Sequence, residues 1–404
     1  MQDASPTFYT LPHDIPNPMR FIYLDYNSTT PVSPEAQEVI LPFLAEHYGN
    51  PSSQHSIGRA VFEVLEEARY HLAGLIRCDR SEIVFTSGGT ESCNLALIGT
   101  AMQVAPRGAL PGRSTGGHLV VSSVEHPAVI QAAIFLESLG YGLTLVRPNR
   151  DGIIDPESVV DAIQENTFLV SVTLAHHETG IIQPVSQIAE RCRLAGVLVH
   201  TDASQALGKI PIHVGRLKVD LLSMSGHKVY APKGVGALYV RHGTPISPIL
   251  HGEGHEYGLR SGTENVTGIV AFGKTADIAN KFMQQSMERM SLFRDLIETK
   301  LLSMVPGLII NGQEVERLPN TTSVTFPHVF ADKMQHRLPE ICFSTSAAAL
   351  GRFDATSPML SAMGRTPAQV QGTIRLSIGR FNTEEQMIRA TEMLAAAWDA
   401  LRKE

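Results

Sequence analysis

Three segments of the chain combine residue types able to do chemistry on a small anionic molecule. Phe85-Thr-Ser-Gly-Gly-Thr-Glu-Ser-Cys-Asn94 reads as a strand end, a glycine turn and a helix start. Free backbone N–H groups at such a helix start favour an anion, as does the positive end of the helix dipole; Gly89 leaves room and Thr90 adds a hydroxyl donor. His200-Thr-Asp-Ala-Ser-Gln205 closes one apolar run, and Ser223-Met-Ser-Gly-His-Lys228 closes the next. Ligands of open α/β sheets collect outside the carboxyl ends of the strands, so Asp202 and Lys228 can face one crevice. Singly, Asp202 reads as a helix cap and Lys228 as a solvated ammonium. Beside a phosphate turn they make the pair that pyridoxal 5'-phosphate (PLP) requires. The lysine forms a Schiff base with the aldehyde, and the carboxylate keeps the pyridine nitrogen protonated so that the ring accepts electrons.

Positioning these groups takes a parallel sheet wrapped by helices. Short β-rich apolar runs alternate with helical patterns, predicting strands at Ile83 to Thr86, Leu119 to Ser123, Leu143 to Val146, Phe168 to Leu174, Val197 to Thr201, Leu221 to Ser225 and Gly236 to Val240. Helical periodicity runs through His126 to Leu139 and Pro184 to Ala195. From about Glu264 a long helical stretch leads out of the sheet. It is followed by strand-like runs at Leu308 to Ile310, Ser323 to Phe326, Ile341 to Ser344 and Ile374 to Ile378, with a closing helix from Glu384. The expected class is α/β, with an N-terminal arm over 1–20, a large domain over 21–275 and a small α+β domain over 276–404. Pro106 to Gly117, rich in glycine and proline, reads as a surface loop.

Composition narrows the function. The 404 residues exceed the usual single-core limit. A formal net charge of −7, evenly scattered, leaves no basic stripe for nucleic acid and no polybasic patch for a membrane. No apolar run is long enough to span a bilayer and no signal peptide opens the chain, so a cytoplasmic protein is expected. The four cysteines, Cys78, Cys93, Cys192 and Cys342, show neither CxxC nor zinc-ligand spacing. No metal site is expected; the His176-His177-Glu178 run lacks the i,i+4 pairing of a helical zinc motif.

Over nearly its whole length the chain resembles the class V aminotransferase family, specifically the cysteine desulfurases and selenocysteine lyases. The resemblance rests on Tyr23-Leu-Asp-Tyr-Asn-Ser-Thr-Thr-Pro31, Tyr48-Gly-Asn-Pro-Ser-Ser53, Thr86 to Asn94, Glu125-His126, His200 to Gln205, Ser225-Gly-His-Lys228, Arg260-Ser-Gly-Thr-Glu-Asn265 and Ile374-Arg-Leu-Ser-Ile-Gly-Arg-Phe381. It implies the PLP-dependent transferase fold type I, with a mainly parallel seven-stranded sheet. Lys228 would be the Schiff-base lysine, Asp202 the partner of the pyridine nitrogen, and Gln205 the neighbour of the ring hydroxyl. Gly89, Thr90, Ser225 and His227 would hold the phosphate. His126 would stack on the ring and serve catalysis, although by pattern alone it reads as an ordinary satisfied histidine. Arg375 would hold the substrate carboxylate in a planar fork; by pattern alone it reads as an edge-strand charge. Asn50 falls on the substrate side. A homodimer is implied, with Thr263 reaching the phosphate of the neighbouring subunit.

Two departures bear on the reaction. The loop that holds the nucleophilic cysteine of desulfurases reads Phe343-Ser-Thr-Ser-Ala-Ala-Ala-Leu-Gly351, with Ala349 at the matching position. A methyl group cannot form a persulfide, and Cys342 lies in an apolar pattern where a thiol is little ionised. Secondly, His177 stands where the family has asparagine near cofactor and substrate carboxylate, and Tyr257 where arginine is common at the pocket mouth. The expected activity is therefore β-elimination from cysteine or a cysteine derivative, with pyruvate, ammonia and a sulfur species as products. Three alternatives stand beside it: a desulfurase or selenocysteine lyase whose cysteine has been replaced, which would pass sulfur to an acceptor protein; a PLP-binding pseudoenzyme; and a class V enzyme redirected by His177 toward transamination, decarboxylation or racemisation.

Overall fold

The computed structural model describes residues 21–104, 116–346 and 357–404. The expected arm 1–20, most of the 106–117 loop and Ala349 lie outside these residues.

The chain enters through a short strand, β1 (Ile22–Tyr23), and then builds a central sheet from β2 (Ile83–Thr86), β3 (His118–Ser122), β4 (Gly142–Val146), β5 (Thr167–Ser171), β6 (Leu198–Asp202), β7 (Leu221–Ser225) and β8 (Gly236–Val240). Their order is β2-β8-β7-β6-β5-β3-β4. All neighbours from β7 to β4 run parallel, whereas β8 is antiparallel to both β2 and β7. Strands β2, β3, β7 and β8 are buried at every position. Such burial on both faces explains why they read as continuous apolar runs rather than alternating ones. One face packs a core containing Phe85, Val120, Val170 and Leu222, the other a core containing Val84, Leu119, Leu169 and Leu221. The expected strands all appear; the run predicted over Phe168 to Leu174 stops at Ser171. Beyond it the chain turns into the His176–Ile182 loop, where Gly180 N donates to His176 O.

The long helix predicted from Glu264 spans Val266–Met304, capped by the Asn265 side chain, which accepts from Gly268 N. Its helical dihedrals break at Phe282 (φ −113°, ψ 15°). Ile269, Phe272 and Ala276 pack into the large-domain core, whereas Met290, Phe293, Ile297 and Leu301 belong to a separate core. A boundary after residue 275 thus falls inside one continuous helix.

The second unit contains β9 (Ile309–Ile310), β10 (Thr321–Thr325), β11 (Ile341–Cys342), β12 (Ser344–Thr345) and β13 (Thr373–Ser377). Four of these form the antiparallel sheet β12-β13-β10-β9. The run predicted over Ile341 to Ser344 divides, because β11 leaves that sheet to pair in parallel with β1. Ile22 and Leu24 accordingly sit in the small-unit core, so the chain's first described segment bridges both units. Among the described residues no helix is long and apolar enough to cross a membrane.

Candidate active site

The phosphate turn is shaped by backbone before any side chain acts. Gly88 adopts φ 157° and ψ 178°, a conformation essentially reserved for glycine, and Gly89 opens the following helix without a side-chain cap. A Cβ on Gly236 would lie 2.6 Å from Gly88 Cα, so β8 can run beneath the turn only as glycine there. A Cβ on Gly89 would lie 3.0 Å from Ser204 Oγ and 3.3 Å from Ser225 Cβ, closing the space in front of the helix. Glu91 is drawn aside: its carboxylate accepts from Ser87 N at 2.8 Å and from Arg260 Nε at 3.0 Å. The helix start therefore opens toward Ser204 and Ser225.

This turn forms one end of a cavity of about 430 Å³. Asp202, at the end of β6, and Lys228, just past β7, both line it, as do Gln205, Ser225 and His227. Gly89, Thr90, His126 and His177 complete the lining that concerns the chemistry. The convergence of strand ends inferred from spacing is the one the fold makes.

Charge and protonation follow from burial. The Lys228 amine is pushed down from 10.5 to about 8, first by desolvation and then by the Arg375 guanidinium, with Asp202 and Asp25 opposing. About a tenth of the amine is thus free at pH 7, far more than for an ordinary lysine, as a nucleophilic or basic lysine needs. His126 caps its own helix: its Nδ1 accepts from Ala128 N at 3.1 Å, which leaves Nε2 as the protonated nitrogen. Desolvation lowers its pKa, so the ring is a neutral donor. The His126 and His177 rings meet edge to face, with centroids 5.8 Å apart. His227 is held down at about 4 by burial and the nearby lysines.

Four residues expected at the site lie outside the cavity lining. Arg375 is 4% exposed; its two terminal nitrogens are engaged, while its Nε has no partner among the described residues. Its NH2 donates to Asp25 Oδ1 at 2.6 Å, Ser28 Oγ at 2.7 Å and Ser344 Oγ at 2.8 Å, and its NH1 donates to His177 O at 3.0 Å. Asn50 spends its side-chain oxygen on Ser52 N at 2.9 Å. Tyr257 stacks on Arg69, 5.2 Å from the guanidinium to the ring centre, and sits at φ 59° in a loop clamped by Glu256. Thr263 is exposed. Conversely, Asn27 and Lys209, buried behind the lining, were not singled out from sequence. Asn27 O accepts from both Gln205 Nε2, at 3.0 Å, and Lys228 Nζ, at 2.6 Å. The position of Lys209 four residues after Gln205 was the available signal, but without a helix pattern around it the spacing carried no direction.

The residues present fit PLP. An uncapped helix start with a glycine-only turn suits a phosphate, a carboxylate and a low-pKa amine line one cavity, and a buried nitrogen, His177 Nε2, has no partner among the described residues. Comparison with known proteins agrees. The aminotransferase class-V family profile matches residues 22–389. A cysteine desulfurase of Trichormus azollae is 39% identical over 386 residues, covering 95% of this chain and 94% of that protein. "Cysteine desulfurase IscS 1" of Archaeoglobus fulgidus is 40% identical over 382 residues, covering 94% and 97%. Among solved structures, a "NifS-like protein" superposes with TM-score 0.86 at 34% identity, covering 94% of this chain and 100% of the other. The structure titled "SspA in complex with cysteine" superposes with TM-score 0.77 at 32% identity, covering 89% and 99%. The chain belongs to the aminotransferase class-V family, as a PLP-dependent, cysteine-desulfurase-like enzyme of fold type I.

Proposed function

We propose that the enzyme cleaves the carbon–sulfur bond of cysteine or a cysteine derivative by β-elimination, without storing sulfur on its own thiol. The observation that carries this reading concerns the thiols. The chain has four cysteines; none lines the cavity, and burial raises the pKa of every one, Cys192 to about 12. A thiol held protonated is a poor nucleophile.

Bound in the cavity, PLP supplies an electron sink for the negative charge that develops at Cα. Asp202 would hold a ring nitrogen protonated. Gly89, Thr90, Ser225 and His227, which line the same cavity, would hold the phosphate. The Lys228 amine, at about 8, takes the Cα proton. The Cα–H and Cβ–S bonds break, and the sulfur leaves with the bonding pair, accepting a proton. His126 Nε2–H stands in the cavity as its donor. Addition of water to the three-carbon fragment then gives pyruvate and ammonia, so that cysteine and water yield pyruvate, ammonia and hydrogen sulfide. The experiment is product analysis of the purified holoenzyme with cysteine, cystine, selenocysteine and S-substituted cysteines. Pyruvate in proportion to released sulfur supports the proposal; alanine as the sole three-carbon product refutes it.

The enzyme is also proposed to be a cytoplasmic homodimer. Leu41, Leu44, Tyr48, Ile57, Phe62 and Tyr70 expose large apolar side chains within one stretch of sequence, which supports an interface there. Thr263 and Tyr257, exposed and away from this chain's cavity, are free to face a second copy. A sedimentation mass of one chain would overturn this part.

A further inference from the structure

Behind the cavity wall lies an amine that the proposed reaction does not use. Lys209 is 6% exposed, yet among the described residues no carboxylate pairs with it. Its Nζ donates to Gln205 Oε1 at 3.0 Å and to Asn27 Oδ1 at 3.1 Å. Taking a lysine amine out of water without an anionic partner is unfavourable. Desolvation accordingly drives its pKa well down, and the Lys228 and Arg375 cations push the same way. A group retained at that disadvantage is explained by what its hydrogen bonds fix.

They fix an amide. A glutamine side chain has one end that accepts and one that donates, and only its partners decide which way it faces. In the observed orientation Gln205 Oε1 receives Lys209, and Nε2 donates to Asn27 O at 3.0 Å. The flipped orientation turns Oε1 toward the Asn27 carbonyl, acceptor on acceptor, and takes away the oxygen to which the Lys209 amine donates. With Lys209 present the flip forfeits both of these hydrogen bonds and sets one oxygen against another. Without Lys209 it forfeits only the bond to Asn27 and makes the same oxygen contact. Asn27 cannot move to accommodate it, because its own side chain is held by Asn320 Nδ2 at 3.0 Å and by Thr321 Oγ1 at 2.8 Å.

We propose that Lys209 is a positioning residue that makes Gln205 present an N–H donor, and not an acceptor, to the cavity. The ligand atom facing Gln205 must then be an acceptor, such as an ionised ring hydroxyl. This inference rests on the PLP reading for its readout.

The test is the visible absorption of the bound cofactor against pH, in holoenzymes carrying Lys209→Met, Lys209→Arg, Gln205→Leu and the Lys209→Met/Gln205→Leu pair. Loss of a donor beside an ionised oxygen raises that oxygen's proton affinity. The midpoint is therefore expected to rise, by a several-fold change in proton affinity, in Lys209→Met and in Gln205→Leu. It should stay near wild type in Lys209→Arg, which keeps the donors. In the paired variant the midpoint should equal that of Gln205→Leu alone, since Lys209 acts through Gln205. A Lys209→Met midpoint equal to wild type overturns the proposal. So does a further rise in the pair, which would show that Lys209 acts through its charge. Thermal unfolding reports whether Lys209→Met folds; if it does not, Lys209→Gln is measured against the same two expectations. A wild-type protein with no cofactor band would instead refute the PLP reading.

Discussion

The amine of Lys228 donates to the backbone carbonyl of Asn27 at 2.6 Å. That bond joins the expected cofactor lysine to a segment that also contacts the small unit, where Asn27 N donates to Ser377 Oγ at 2.9 Å. The site is thus set by both units together.

Capture of PLP by the apoprotein should speed up as pH rises through about 8, because only the free amine attacks an aldehyde and Lys228 is lowered from 10.5 to about 8. Stopped-flow absorbance across this range measures it. Lys228→Ala should yield no reducible adduct and lose turnover by roughly 10²-fold or more. A capture midpoint near the ordinary lysine value would contradict the burial argument.

Glu125 provides a stability prediction. Its carboxyl is pushed up from 4.5 to about 8 by desolvation, while Oε1 accepts from Ser122 Oγ and Thr173 N, both at 2.5 Å. Because the folded value lies above the unfolded one, the folded state binds the proton more tightly. The stabilisation is complete below 4.5 and is lost as pH rises through about 8. Glu125→Gln cannot ionise, so the difference in unfolding free energy between wild type and variant should change over that window by on the order of a few kcal/mol. Denaturant melts at acidic, neutral and alkaline pH test this.

Arg69 and Glu256 form a buried two-pronged pair, with NH1–Oε2 2.7 Å and NH2–Oε1 2.8 Å, and Glu256 Oε2 also receives Phe85 N at 2.7 Å. Glu256→Ala removes the two-pronged partner of a buried guanidinium, whose remaining carboxylate partner is Glu66 at 2.8 Å, and should destabilise the fold by up to about 3–5 kcal/mol. It should also weaken PLP binding, because β2 leads directly into Gly88. Glu340→Ala, breaking the exposed pair with Arg389, should cost about 0–1 kcal/mol. Equal effects in chemical denaturation would sink the distinction.

His177 Nε2 is buried and unpartnered, and burial holds the ring well below the usual 6.5, with His176, His126, Arg375 and Lys228 acting in the same direction. The ring therefore stays neutral at physiological pH, and the KM for the amino acid should show no step near 6.5. His177→Asn should change KM about 10-fold, the scale of a single buried polar contact, while leaving the cofactor band in place. An unchanged KM would remove His177 from the substrate end.

By itself the sequence determined the sheet, the parallel sense of most of it and the placing of Asp202 and Lys228 on one cavity, because strands buried on both faces must be continuously apolar and strand ends converge on one edge. The glycine turn was equally legible, since only glycine takes the Gly88 conformation. Tertiary structure alone decided three matters. Lys209 and Asn27 belong to the site through contacts 182 positions apart in the chain, which no local pattern encodes. Arg375 became a buried ion pair rather than a strand-edge charge because Asp25 lies beside β13. The Lys228 amine is lowered to about 8 because burial and a neighbouring guanidinium reduce its proton affinity. Residue type sets what a group can do, and its enclosure sets the pH at which it does so.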